Sequence, residues 1–333
     1  MADFLGVSVV TVGYRGAGLL ERCLASVLAS EPRPREVLVV DNASPEDLTG
    51  VLGRFSTDAA RCGVRALTMR SDRNLGFGGG CALALKATSE PLVFLLNPDT
   101  VLEPETLGLL VEAGRAAPQP AALQPLVVFA QERGKVNSAG VAALLDGGFV
   151  DMLCGAPRSA VPEGPLVPIA AATGAAVLLR RQDIDRLGFF DPDFFLYIED
   201  VDLGLRWRRA GAQAFLVPGA VVYHEYHGSS RGGRADFAAS ISQNQLETVA
   251  KNYPPLELCV AALLWSYNTA MLLAGRGPPL GRARLAAAAG TARRWRALAV
   301  KRRGVRATGP DARIAPWIVA PRREGAAAPP LRR

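Results

Sequence analysis

The sequence predicts an α/β protein built on a mixed, mainly parallel β-sheet flanked by helices. Short apolar runs alternate with helical patterns over the first hundred residues, and this alternation is typical of crossover units that build parallel sheets. Polar residues (Asp41, Asn97 and Asp99) stand where predicted strands end, at the edge where such sheets bind ligands. After residue 253 the character changes to an apolar and then a basic stretch, which predicts a C-terminal helical extension.

The predicted strands of the first part are rich in valine and leucine, as expected for strands buried on both faces. Pro32 and Pro34 are expected to close the first helix. We predict strands at 7–12, 36–40, 64–69 and 92–96, helices at 17–30 and 81–88, a helix start at 45–54, and a glycine loop at 74–80.

The second part of the chain is less regular. Glycine and proline become more frequent between residues 121 and 167, which predicts hairpins or a covering loop. We further predict a strand at 174–179, a short helix at 183–187, two strand segments at 214–223 that break at Pro218, an apolar helix at 256–274, helices rich in alanine and arginine, and a disordered tail.

Charge is distributed unevenly along the 333 residues. The net charge is +7, but fifteen of the 38 basic residues and only two of the 31 acidic residues lie between 276 and 333. The body of the chain is therefore mildly acidic. A basic tail points to an anionic membrane surface or a nucleic acid as its partner, or to a merely solvated segment.

Cysteine usage and the N-terminus indicate a reducing, cytosolic environment. The five cysteines are odd in number and have no C-x-x-C spacing, which argues against disulfides and structural zinc. The N-terminus lacks the basic region of a signal peptide. The apolar stretch at 256–274 contains Glu257, Ser266 and Asn268, so a packed or interfacial helix is favoured over a transmembrane span.

Residues 189–206 are the most informative stretch, because they place acids beside aromatic rings. Carboxylates cluster in this way where a site needs a poised base or a bound cation. Acids also enrich the first turn of any helix. Glu199, Asp200 and Asp202 next to Tyr197 are more acids than a helix start requires.

Four further segments could bind a ligand, and each has a simpler reading. Asp41 could accept hydrogen bonds from a ribose or a base, or cap a helix. The glycines of 74–80 could admit a diphosphate, or form a tight turn. Asp99 could hold a cation, or belong to a turn. His224 and His227 could bind a metal or phosphate, or lie on the surface.

Taken together in chain order, these segments resemble those of the inverting GT-A glycosyltransferases of family 2, and within them the rhamnosyltransferase-like branch. The resemblance covers about residues 5–235. Tyr14 matches the tyrosine of the opening V-x-x-Y-N, and residues 37–44 resemble V-x-V-D-N-x-S. Residues 73–80 match R-N-x-G-F-G-x-G, although Cys81 follows where the family has a polar residue.

The other matches carry the chemistry. Asn97 and Asp99 stand at the D-x-D metal motif, with Asn97 in the first position as is usual in this branch. Residues 199–200 match the E-D base motif, and residues 221–230 resemble the segment V-x-H-x-x-G-x-S.

The resemblance implies a role for each matched residue. Asp200 is expected to be the general base, with Glu199 and Tyr197 near the acceptor and Asp202 in a supporting position. Asp99 and His224 are expected to hold Mg²⁺ or Mn²⁺, with His227 as the rival histidine, and Ser229 and Arg231 to touch phosphates. Donor binding is assigned to Tyr14, Asp41, Asn74, Gly76, Phe77, Gly78 and Asn97.

The resemblance also implies transfer of a sugar from a nucleotide-diphosphate donor to a glycan or polyprenyl-linked acceptor, in cell-surface polysaccharide synthesis. Rhamnose from dTDP-rhamnose is the first expectation, and UDP-galactofuranose or another UDP-hexose the alternative. Residues 1–253 would be the catalytic domain. Residues 254–333 would hold it on the cytoplasmic face of an anionic membrane, with no nucleic acid as partner.

Two other classes remain open. A sugar-1-phosphate nucleotidyltransferase needs a glycine-rich loop with basic residues after its first strand, and residues 13–16 are too short and lack lysine. A non-enzymatic polyanion-binding protein would act through the basic tail alone.

Overall fold

The computed structural model describes residues 4–118, 121–225, 237–304 and 314–320. These residues form strands and helices that alternate up to β4, as expected. The first elements are β1 (Phe4–Gly13), α1 (Ala17–Leu28), β2 (Arg33–Asp41), α2 (Thr49–Arg61), β3 (Arg65–Arg70), α3 (Gly76–Leu85), β4 (Leu92–Leu96), β5 (Thr100–Leu102) and α4 (Thr106–Ala116).

The middle and C-terminal parts contain shorter strands and then helices. They comprise β6 (Ala121–Phe129), β7 (Val136–Ser138), β8 (Val141–Leu144), β9 (Phe149–Asp151), β10 (Val167–Ile169), β11 (Ala176–Arg180), α5 (Arg181–Leu187), α6 (Glu199–Arg209), β12 (Gln213–His224), α7 (Ala238–Asn252), α8 (Pro255–Met271), α9 (Pro278–Arg293), α10 (Trp295–Gly304) and β13 (Ile318–Val319).

In the described part of the chain, ten strands form one mixed sheet. Its order is β10-β12-β6-β11-β4-β1-β2-β3, with β5 paired to β12 and β7 to β6. The block β4-β1-β2-β3 is parallel, and β11 runs antiparallel between β4 and β6. The carboxyl ends of β1, β2 and β4 therefore meet at one edge. The expected class, a mixed sheet flanked by helices, is confirmed.

Alternating side chains of the central strands face two apolar layers. In β1, Val7 and Val9 pack in the layer that contains α1 and α2, whereas Val10 and Val12 pack in the layer that contains α3 and α6. This period of two is what a strand buried on both faces requires.

The first two C-terminal helices, α7 and α8, pack against α6. Val249 and Tyr253 of α7 share an apolar cluster with Val201 and Leu205 of α6. The Tyr253 hydroxyl donates a hydrogen bond to the Leu144 carbonyl at 2.7 Å. Helix α7 thus joins α6 to the small sheet β13-β8-β9.

Helix α3 begins at Gly76, so the prediction of a glycine loop followed by a helix at residue 81 was wrong. Glycine lowers helix propensity, but here the glycines allow close packing. A Cβ on Gly80 would lie 2.6 Å from a Val12 methyl group, and one on Gly78 would lie 3.3 Å from Phe190. Tertiary contact outweighs propensity in this helix.

Two other predictions need correction. Residues 214–223 belong to one strand, β12, in which the expected break is a register shift against β6 between Val217 and Val221; such a bulge keeps a strand continuous. Helix α2 begins at Thr49, beyond the turn at Pro45. His227, Ser229, Arg231 and most of the predicted tail lie outside the described residues.

Candidate active site

A cleft of about 520 Å³ opens at the carboxyl edge of the parallel strands. It lies between the end of β1, the α3 N-terminus, the segment after β4 and the start of α6. Most of the predicted site residues line it: Tyr14, Asn74, Gly76, Phe77, Asn97, Asp99, Tyr197, Glu199, Asp200 and His224. The topology therefore brings together residues from five separate sequence segments.

One wall of the cleft is an amide network that joins β2 to α3. Asn74 Oδ1 accepts hydrogen bonds from Asn42 Nδ2 at 3.0 Å and from the Gly76 amide at 2.8 Å. Asn42 also accepts from the Leu75 amide at 2.9 Å and donates to the Gly76 carbonyl. Asn42, to which the family resemblance gives no role, fixes the shape of this loop.

Gly76 is where this wall meets the loop that precedes α6. Its φ of +73° is in the left-handed region, and a Cβ there would lie 1.8 Å from the Phe195 carbonyl oxygen. The Phe77 amide donates to that same oxygen at 3.2 Å. Only glycine satisfies both the backbone angle and the close approach.

Two residues assigned to donor binding are not among those that line the cleft. Asp41 is buried at the end of β2, and its carboxylate accepts hydrogen bonds from Arg70 and from the Ser44 amide. Gly78 is buried against Phe190. Their donor role stays a prediction, and both help to shape the wall that Asn42 and Asn74 present.

Asp99 and His224 meet at the far side of the cleft. Strand β5 pairs with the end of β12, so that Thr100 lies opposite His224. Asp99 Oδ1 is 3.3 Å from His224 Nε2, and both side chains are buried. His224 Nδ1 is 2.8 Å from Asn137 Oδ1, a contact that orients the ring with Nε2 toward Asp99.

Asp99 and His224 could supply two of the ligands of a divalent cation. Such ions often bind through one or two protein groups plus substrate phosphates. A histidine that binds a metal through one ring nitrogen usually has its other ring nitrogen hydrogen-bonded to an oxygen, as His224 Nδ1 is placed against Asn137 Oδ1. The described residues contain no group of three or more His, Cys, Asp or Glu side chains able to enclose an ion by themselves. The remaining ligands would come from a diphosphate.

Glu199 and Asp200 enter the cleft from the first turn of α6. The Gly174 amide donates to Asp200 Oδ2 at 2.6 Å, and the Val201 amide donates to Oδ1 at 2.8 Å. Gly174 can approach this closely because it has no Cβ; a Cβ at this position would lie only 3.3 Å from the Asp200 side chain. The carboxylate is therefore held in one orientation at the cleft surface.

Glu199 has a different environment from its neighbour. Its side chain is buried, and Oε2 has no hydrogen-bond partner in the described part of the chain. Burial, followed by the nearby charge of Asp200, raises the pKa of Glu199 from 4.5 to about 8. Glu199 is therefore protonated at neutral pH, which avoids two adjacent charges.

Asp202 lies one turn further and points away from the cleft. It is fully buried and bonded to Lys251 at 2.9 Å, to Asn252 at 3.0 Å and to Arg206 at 2.7 Å. These contacts fit the supporting position predicted for it. The lysine and asparagine that hold it come from α7, beyond every motif in the sequence.

Comparison with known proteins decides the family. A family model described as glycosyltransferase-like family 2 matches residues 6–250. The chain belongs to this family.

One relative of this family 2 glycosyltransferase has a named activity. It is 30% identical over 259 residues to the N-acetylglucosaminyl-diphospho-decaprenol L-rhamnosyltransferase of Mycobacterium tuberculosis, which covers 72% of this chain and 82% of the relative. The predicted rhamnosyltransferase-like branch and enzyme class are thereby confirmed.

Solved structures confirm the GT-A fold. The mannosyltransferase PcManGT from Pyrobaculum calidifontis, determined with GDP-Man and Mn²⁺, aligns with a TM-score of 0.56 and 19% identity over 90% of this chain and 84% of its own. GalNAc-T7, determined with UDP, GalNAc and Mn²⁺, aligns with a TM-score of 0.61 and 18% identity over 74% and 47%.

The glycosyltransferase also has an exposed apolar helix. Within the described residues, 255–275 form the one helix that is long and apolar enough to cross a membrane. Only 17% of its most apolar stretch is buried. Leu256, Leu263 and Tyr267 are 73%, 72% and 63% exposed. Their spacing of seven and four places them on one helix face.

Proposed function

We propose that this glycosyltransferase transfers L-rhamnose, with inversion, from a nucleotide-diphosphate donor to a lipid-linked glycan in cell-surface polysaccharide synthesis. The observation that carries the proposal is the Asp200 carboxylate, held at the cleft surface by the Gly174 amide beside a neutral Glu199. The named activity of the mycobacterial relative supports the choice of sugar and acceptor.

The donor would occupy the wall between Tyr14 and Asn97. Tyr14 offers a ring for the base, and the Asn42–Asn74 network with Gly76 offers backbone and amide groups for the nucleoside and diphosphate. The diphosphate would then lie near Asp99 and His224. Mg²⁺ or Mn²⁺ held by these two residues would offset the negative charge that develops on the nucleoside diphosphate as it leaves.

Asp200 would act on the acceptor. Its carboxylate removes the proton from the acceptor hydroxyl while that oxygen attacks the anomeric carbon. The new glycosidic bond forms on the face opposite the breaking bond to the diphosphate, so the configuration inverts. Glu199, being protonated, leaves Asp200 as the charged member of the pair, and Tyr197 would contact the acceptor.

A lipid-linked acceptor requires the enzyme to reach a membrane. The exposed face of α8 provides apolar contact, and Trp295 of α10, 61% exposed, adds an aromatic group beside basic residues. Exposed apolar and cationic groups both favour binding to an anionic bilayer. We propose peripheral attachment to the cytoplasmic face, with residues 254–333 as the attaching unit and no nucleic-acid partner.

The donor is tested by titrating nucleotide sugars, including dTDP-rhamnose, UDP-galactofuranose and UDP-hexoses, with Mg²⁺, Mn²⁺ or EDTA. We expect metal-dependent binding of dTDP-rhamnose. Binding of another donor would replace rhamnose in the proposal, and binding of none would remove the proposed reaction.

The base is tested with Asp200→Asn, using Asp58→Asn on the exposed surface of α2 as the matched control. General-base catalysis contributes about 10²–10⁴-fold, so kcat should fall by that factor with donor affinity unchanged. The control should behave as the unmodified enzyme. A near-normal kcat in Asp200→Asn would show that another group takes the proton.

A further inference from the structure

The turn that delivers the catalytic acids has an unfavourable backbone. Tyr197 and Ile198, immediately before Glu199, have φ values of +69° and +72°. Consecutive non-glycine residues rarely adopt this region, and a β-branched residue such as isoleucine is especially disfavoured there. Such a turn persists only when its surroundings over-determine it.

Asn244 of α7 supplies a direct restraint on this turn. Its side-chain amide donates to the Leu196 carbonyl at 3.1 Å and to the Tyr197 carbonyl at 2.9 Å. Asn244 is only 8% exposed, so water offers little competition for these hydrogen bonds. One amide group therefore fixes the two peptide planes that precede Ile198.

Lys251, two turns further along α7, restrains both ends of the same segment. Its ammonium group lies 2.7 Å from Asp191 Oδ2 and 2.9 Å from Asp202 Oδ1, and 4.3 Å from the centre of the Phe194 ring. The side chain is fully buried. It links the start of the segment to the first turn of α6.

A second lysine contacts this segment from α10. Lys301 Nζ lies 2.5 Å from Asp191 Oδ1 and 2.5 Å from Asp193 Oδ2. Burial alone would raise the pKa of Asp191, but Lys251 and Lys301 outweigh it and hold that pKa well below its ordinary range. The carboxylate is therefore charged throughout the physiological range, and the ion pairs persist.

We propose that Asn244 and Lys251 are positioning residues, which hold residues 191–198 so that Asp200 meets the acceptor hydroxyl in a productive orientation. This rests on the proposed role of Asp200 as base. Neither residue lies in a motif of the family resemblance, and Asn244 acts through backbone carbonyls rather than on a substrate.

The test compares Asn244→Ala and Asn244→Asp with the matched control Gln243→Ala. Gln243 is the adjacent residue on α7, and its amide bonds to Glu247 instead of the turn. A misplacement of about 1 Å can lower a rate by about 10²-fold, so we expect kcat to fall about 10- to 100-fold in both Asn244 variants. The donor Kd should change less than kcat, because Asn244 contacts the carbonyls of Leu196 and Tyr197 and, among the described residues, makes no hydrogen bond to Asn42, Asn74 or Gly76.

Hydrogen–deuterium exchange of peptides covering 189–206 gives a readout that does not need activity. Exchange should accelerate in both Asn244 variants and not in Gln243→Ala. The aspartate is included because it has the size of asparagine but cannot donate to two carbonyls. Unchanged exchange, an unchanged kcat, or a normal Asn244→Asp enzyme would each overturn the proposal.

Parallel measurement of Asp200→Asn separates the two hypotheses. If Asp200→Asn is inactive and Asn244→Ala is normal, the positioning role fails and the base stands. If Asp200→Asn retains a normal kcat, the base assignment fails, and with it the catalytic meaning of the restraint.

Discussion

Asp99 Oδ1 and His224 Nε2 lie 3.3 Å apart where β5 pairs with the end of β12. Neither residue reaches the other through a local turn, so the pairing of two strands creates the contact. Asn137, on β7, fixes the histidine ring from behind. The contact predicts a metal-dependent donor site that three strands build jointly.

Replacing Asp99 by Ala should remove the metal-dependent part of donor binding. Loss of a ligand or of its immediate support typically lowers metal affinity about 10- to 100-fold, and we expect a similar loss in donor affinity with Mg²⁺ or Mn²⁺. Calorimetric titration of the donor with and without EDTA measures it. Asp58→Ala is the control, and EDTA-insensitive donor binding by the original enzyme would contradict the prediction.

Glu199 predicts a pH dependence of stability. Its folded-state pKa of about 8 lies above the ordinary 4.5, so between these values the folded enzyme binds a proton that the unfolded chain does not. The free energy of unfolding should therefore fall as pH rises through this window. The charged neighbour is Asp200, and Cys81 is a neutral thiol because burial raises its pKa.

Glu199→Gln should remove this slope. Urea unfolding at pH 5, 6.5 and 8.5 should show the variant gaining stability relative to the original enzyme as pH rises. Glu163→Gln, at an exposed loop position, is the matched control and should follow the original curve. Parallel curves for Glu199→Gln and the original would mean that Glu199 is ionised in the folded state.

Gly76→Ala should destabilise the enzyme and open the donor wall. A left-handed alanine costs about 1–2 kcal/mol, and displacing the Phe195 carbonyl, 1.8 Å from the new Cβ, adds about 1–3 kcal/mol as overpacking. Chemical denaturation measures the change. Gly53→Ala on α2, where a Cβ meets nothing within 4 Å, should be neutral or stabilising, and equal stabilities would refute the close approach.

The exposed face of α8 predicts binding to anionic vesicles. The double variant Leu263→Ser/Tyr267→Ser should weaken co-sedimentation with phosphatidylglycerol vesicles at least about tenfold, since burying each apolar side chain contributes about 1.5–3 kcal/mol. Leu109→Ser on α4, also at an exposed apolar position, is the control. Equal binding by both would place the contact elsewhere on the enzyme.

Sequence reasoning succeeded where the information is local. The parallel strands, and the acids of 199–202 at a helix start, follow from periodicity and from residue type. It failed where packing decides: α3 begins at Gly76 because its glycines fit against Val12 and Phe190, which no propensity encodes.

The site shows the same division. The metal-motif residues and Asp200 were found through a family resemblance, and their roles stay predictions. Asn137 and Asn244 lie in no matched pattern, and the pattern that contains Asn42 gives it no role. The role of a buried asparagine depends on the group that it contacts in space. Asn137 also lies in the region that the sequence predicted only as hairpins or a loop.

Lys301 has a structural role in addition to its place in the basic segment. The lysine that composition assigns to a membrane patch is hydrogen-bonded to Asp191 and Asp193, and Arg294 beside it also pairs with Asp193. Deleting residues 276–333 to test membrane attachment would therefore also remove side chains that hold Asp191 and Asp193 in place. If the truncated enzyme lost activity in detergent with a soluble acceptor, the cause would be a loosened active site and not the loss of membrane attachment.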